Sequence, residues 1–166
     1  MSKLLVPCED SPHTRAAVRR IVDQVRRGVS HEIHLVNVQP PFSAHVARHV
    51  DQDTRRDFQR EQSDQALAPA RQLLDAAGVR YQVHRAVGDK ARCIAQLANR
   101  LGCDRIVLGT ARKSGLVRVL QNSLTSRMLE HSAVPVEVIT AQRAPALERL
   151  GIPAGVGAGL TLLWVT

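Results

Sequence analysis

The chain sorts its apolar residues into short runs and helical stripes that take turns. Residues 3–8 form an apolar run of strand length, and Ser11-Pro12 then supplies an N-cap with proline at the first helical position. Val18, Ile21, Val22 and Val25 follow at helical spacing up to Gly28, and residues 32–38 return as a strand closed by Pro40-Pro41. From 44 to 77 the pattern is polar at first. Ala66, Ala70, Leu73, Leu74 and Ala77 then share one helical face, with Pro69 expected to kink or restart the helix. A third strand alternates over 79–87, and Gly88-Asp89 opens a helix that turns Ile94, Leu97, Ala98 and Leu101 to the core before Gly102 ends it. Ile106, Val107 and Leu108 make a fourth strand ending at Gly109. A basic loop follows, Asn122 and Ser123 cap a fourth helix, and a fifth strand runs from the Val134-Pro135-Val136 stretch to about residue 140.

Five strands alternating with four helices predict an α/β domain. It is doubly wound, with a five-stranded, mostly parallel sheet and helices on both faces. The domain is expected over residues 1–140, with 141–166 as a C-terminal tail. Within that tail, 151–166 is uncharged, apolar and glycine-rich. These 16 residues span about 24 Å as a helix, short of the roughly 30 Å bilayer core, so a membrane span is not expected.

Composition narrows the function classes. The length of 166 residues suits one domain with a core. Lys and Arg exceed Asp and Glu by 23 to 15, which draws anions without selecting among them. Phe42, Phe58, Tyr81 and Trp164 are the only aromatic rings beyond histidine, too few and too scattered for a base-stacking platform, so specific nucleic-acid binding is not expected. Cys8, Cys93 and Cys103 form no C-x-x-C pair and encode neither a disulfide framework nor a thiolate cage. With a strand beginning within two residues of the start and no export signal ahead of it, the expected location is the cytoplasm.

Motifs for covalent chemistry are missing. There is no G-x-S-x-G elbow, and GTARKSG lacks the spacing of a P-loop. His45, His49 and Asp53 recur at four-residue spacing and would stack on one helical face, which reads as a solvated polar face rather than a metal site. His31 and His34, at odd spacing in a strand, face opposite sides.

Three segments carry a family resemblance: KLLVPCEDS, VGDKARCIAQLANRLGCDRIVLGTARKSGL and LQNSLTSRMLEHSAVPVEVI. Together they resemble a universal stress protein domain over residues 1–140, which implies the fold shared with the adenine nucleotide α-hydrolases. The family's ATP-binding members resemble one another in Gly-x-x-Gly, nine residues, then Gly-Ser or Gly-Thr. Here Gly109 holds the first position, Arg112 stands at the second, and Asn122-Ser123 replaces the last pair. The family's Asp-Gly-Ser after the first strand corresponds to Glu9-Asp10-Ser11, whose two carboxylates would repel polyphosphate unless a metal intervened.

Two functional expectations follow from the resemblance. The first is a non-enzymatic stress-response or regulatory domain without a cofactor. It acts on an unknown protein partner as a homodimer formed by the final strand, with Val134, Val136 and Val138 on an exposed edge. The second is an ATP-binding domain, hydrolysing slowly at most, in which Arg112 donates to phosphate where glycine is lost. For that ligand the resemblance selects Pro7, Glu9, Val38, Gly109, Arg112, Asn122, Ser123 and Leu124, with Val38 at the base or ribose and Ser123 at the phosphate.

Overall fold

A computed structural model describes residues 1–111 and 132–141. Its elements, in chain order, are β1 (Ser2–Pro7), α1 (Pro12–Arg26), β2 (His31–Gln39), α2 (Ala44–His49), α3 (Gln52–Ala76), β3 (Tyr81–Val87), α4 (Lys90–Leu101), β4 (Arg105–Ala111) and β5 (Val136–Ala141). The strands lie in the order β3-β2-β1-β4-β5, and every pairing is parallel. The expected fourth helix, with its Asn122-Ser123 cap, and the tail fall outside the described residues.

Strand alternation deals the apolar side chains to two faces. Leu4, Val6, Ile33, Leu35 and Val107 meet Val18 and Ile21 of α1 and Leu67, Ala70 and Leu74 of α3. On the other face Leu5, Val36, Val38, Ile106 and Leu108 meet Ile94, Leu97 and Ala98 of α4. The helices are capped as their sequences require. The Ser11, Asp51 and Asp89 side chains accept from the backbone N–H three residues on, and Gly102 closes α4 in the left-handed region at φ 64°.

Four sequence expectations change. Pro69 lies inside a continuous α3, so the helix does not restart there, and the carbonyl it leaves unbonded, that of Gln65, belongs to an exposed residue within reach of water. His45 and His49 do meet on one face, with ring centroids 4.8 Å apart and the rings tilted by 59°, but α2 ends at His49 in an extended Val50. Asp53 therefore starts a different helix, where it faces Arg56 at 3.8 Å. Val134, just before β5, and Val136 within it pack partly against the second core cluster, and of the three valines Val138 alone is exposed, at 43%.

The fourth change concerns Gly109. β4 does not turn there. It continues to Ala111, with Gly109 opposite Ile139 in the ladder. A Cβ on Gly109 would lie 2.0 Å from the His13 carbonyl oxygen and 2.9 Å from the Thr14 backbone nitrogen, so α1 crosses β4 at a distance only glycine allows.

His34 does find a histidine, though not His31. It is 2% exposed, and its Nδ1 lies 2.9 Å from His84 Nε2 on the next strand while its Nε2 lies 3.0 Å from Glu32 Oε1. Burial, followed by the charges of His34 and Arg100, holds His84 below the usual histidine range. A neutral His84 donating from Nε2 leaves His34 free to donate its own proton to Glu32.

Replacing Gly109 with alanine forces the start of α1 off the sheet, since the clash is with backbone and no side chain can swing aside. Urea unfolding of Gly109→Ala without any ligand should show a loss of about 2 kcal/mol or more. A loss below about 0.5 kcal/mol would show that the approach is not a constraint.

Candidate functional site

The strand order reverses between β1 and β4, because the chain steps outward from β1 to β3 and then returns to lay β4 on the other side of β1. Loops leaving the carboxyl ends of these two strands diverge and open a crevice. A cleft of about 120 Å3 lies there, lined by Pro7 and Glu9 after β1, Val36 and Val38 of β2, and Leu108 and Gly109 of β4. A second hollow of about 370 Å3 shares Glu9, Asn37, Val38 and Lys90 with it.

Each wall has a local cause. Ser11 caps α1, and Thr14, which donates its N–H to the Ser11 hydroxyl at 3.1 Å, also accepts the Glu9 N–H at 3.2 Å. These two bonds fold the chain from β1 straight into α1. Asn37 is 4% exposed inside an otherwise apolar strand. Its Nδ2 donates to the Cys8 carbonyl at 2.8 Å, and its Oδ1 accepts from Ser63 at 2.8 Å and Gln39 at 2.7 Å. One amide thus ties the end of β2 to β1 and α3 with its hydrogen-bonding groups used.

The electrostatics differ from the sequence expectation. Glu9 and Asp10 do not present bare carboxylates, since Glu9 pairs with Lys90 at the start of α4 and Asp10 with Arg15 at 3.0 Å. Repulsion of an anionic ligand is correspondingly reduced without any metal. The Cys8 thiol is buried, and desolvation pushes its pKa up to about 12, so it stays protonated and unreactive. The Nδ1 of His13, another residue of the cleft, is buried without a hydrogen-bond partner among the described residues.

Of the residues the family resemblance selects, Pro7, Glu9, Val38 and Gly109 come together around this one cleft. Arg112, Asn122, Ser123 and Leu124 lie outside the described residues. Asn37, Lys90 and His13 line the cleft and were not selected. Asn37 carried a signal, a lone amide in the run Leu35-Val36-Asn37-Val38, whereas Lys90 lies 81 residues from the Glu9 it pairs with and carried none. Among the described residues no helix is long and apolar enough to cross a membrane.

Comparison with known proteins agrees with this fold. A universal stress protein of Methanocaldococcus jannaschii is 23% identical over 139 residues, covering 82% of this chain and 81% of its own. The fold matches a universal stress protein family member from Burkholderia pseudomallei with a TM-score of 0.62 at 24% identity, over 84% of this chain and 96% of that one. It also matches a universal stress protein family protein from Arabidopsis thaliana, solved with AMP bound, with a TM-score of 0.61 at 19% identity, over 86% and 94%. The model of the universal stress protein family matches residues 1–140, the whole of the domain that the strand and helix pattern marks out, and the chain belongs to that family.

Proposed function

We propose that this chain is a non-enzymatic, cytoplasmic regulatory domain that binds an adenine mononucleotide in the crevice between β1 and β4 and works as a homodimer. The observation that carries the reading is the cleft itself. Residues from three segments distant in sequence, Pro7 and Glu9, Val38, and Gly109, meet at the switch point, where the Glu9 and Asp10 carboxylates are already paired with cations.

Solved universal stress proteins hold AMP, cAMP and dAMP, which supports the same ligand class here. Val36, Val38 and Leu108 supply an apolar wall for a base. Lys90 lines the rim with its charge shared with Glu9. ATP requires further donors, for which Arg112 is the candidate. The reading as a binder rather than an enzyme rests on the inert Cys8 thiol and on Ser11, whose hydroxyl is committed to capping α1. The edge of β5 away from β4 and the exposed Val138 support pairing with a second copy.

Thermal unfolding with AMP, cAMP or ATP and magnesium tests the ligand. A ligand at about 100 times its dissociation constant should raise the melting temperature by roughly 5 °C or more. Val38→Phe, which fills the cleft, should abolish the rise while circular dichroism still reports a folded chain. No rise with any of the three at millimolar concentration sinks the nucleotide reading. The dimer is tested separately by Val138→Lys, which should give monomers in light scattering, and an unchanged dimer places the interface elsewhere.

A further inference from the structure

We propose a second ligand site, a groove between the first half of α3 and the carboxyl end of β3 that binds a small, multiply charged phosphate-type anion. The groove encloses about 270 Å3, and Arg56, Gln59, Arg60 and Ser63 line it from α3, Arg85 and Val87 from β3. The proposal is independent of the nucleotide reading.

The helix explains how the groove arises. Arg56, Gln59, Arg60 and Ser63 fall at i, i+3, i+4 and i+7 and so share one face. The same stripe continues through Leu67, Ala70 and Leu74, which are buried against the sheet. A single face of α3 therefore changes character along its length. Its second half is apolar and seals the core, while its first half carries guanidinium and amide groups beside the ends of β2 at Gln39 and β3 at Val87. A helix face whose only task was to close the core would have kept its apolar residues there.

The charges of the groove are unbalanced in favour of cations. Among the described residues no carboxylate lines it. Asp64, beside it, pairs with Arg85 and lies 3.7 Å from Arg71, so one carboxylate serves two guanidinium groups, and the Arg85 hydrogen bond above all holds it below the usual carboxylate range. Arg56 reaches Asp53 only at 3.8 Å, with both side chains largely in solvent, a pairing that holds Arg56 weakly. Arg60 senses the charge of Asp64 but has no hydrogen bond or ion pair with any described residue. Arg56 and Arg60, one helical turn apart, can each present a planar fork of donors to phosphate oxygens, which suits bidentate recognition.

Calorimetric titration of the full chain with inorganic pyrophosphate at low ionic strength tests the site. Binding is expected, weakening as salt is added. The double variant Arg56→Ala, Arg60→Ala should lower the affinity by about tenfold or more, each tenfold being about 1.4 kcal/mol. Arg19→Ala with Arg26→Ala removes the same two charges from exposed positions of α1 and should leave the affinity within about twofold. Three results overturn the proposal: no binding at millimolar pyrophosphate, an affinity unchanged in the groove variant, or an equal loss in the α1 control.

Discussion

The contact between Gly109 and the His13 carbonyl sets the geometry on which the site depends. Residues in the middle of a buried strand are ordinarily chosen to fill space, but here the space is already taken by the backbone of a helix. This approach seats the first turn of α1 directly over β4 while Ser11 and Thr14 hold the other side of the turn to the end of β1. The mouth between β1 and β4 is therefore built from short, bonded pieces of backbone rather than from long side chains. A helix start so placed directs its free N–H groups to the carboxyl side of the sheet, where an open parallel sheet places its ligands.

Around that frame the polar groups are arranged so that few are left exposed to one another without a partner. Asn37 joins three elements through one amide. The two carboxylates after β1 each have a cation, one from α4 and one from the next turn of α1. Ser63 and Gln39, which donate to Asn37, also line the arginine groove, so the switch-point cleft and that groove share a hydrogen-bonded wall.

Local chemistry made the elements legible and long-range pairing hid much of the site. The cap at Ser11-Pro12, the glycine stop at 102 and the alternating apolar runs depend on neighbours within a few residues, and among the described residues the elements they mark appear in the expected order, although the 44–77 segment divides into α2 and α3 and β4 runs on past Gly109. Gly109 was legible as a residue that had to be glycine, yet the sequence suggests a loop near phosphate and the structure shows a strand beneath a helix. Nothing local distinguishes these two reasons. The partners of Glu9 and His34 come from α4 and β3, and only the strand order brings them into contact. The Glu9 carboxylate, which looks repulsive in a linear segment, is neutralised in the folded chain for the same reason, whereas Asp10 finds Arg15 only five residues on. The stripe from Arg56 to Leu74 shows the opposite case, since its helical period is plain in the sequence while the change from groove to core depends on where the sheet ends.

The claim that the β1/β4 crevice is the ligand site is tested most directly by amide chemical shifts during titration of the 15N-labelled chain with AMP. Shifts should grow with occupancy at Glu9, Val38, Lys90 and Gly109 and leave the amides of residues 56–63 in place. Saturating AMP that moves none of the four, or that moves only the amides of 56–63, would contradict it.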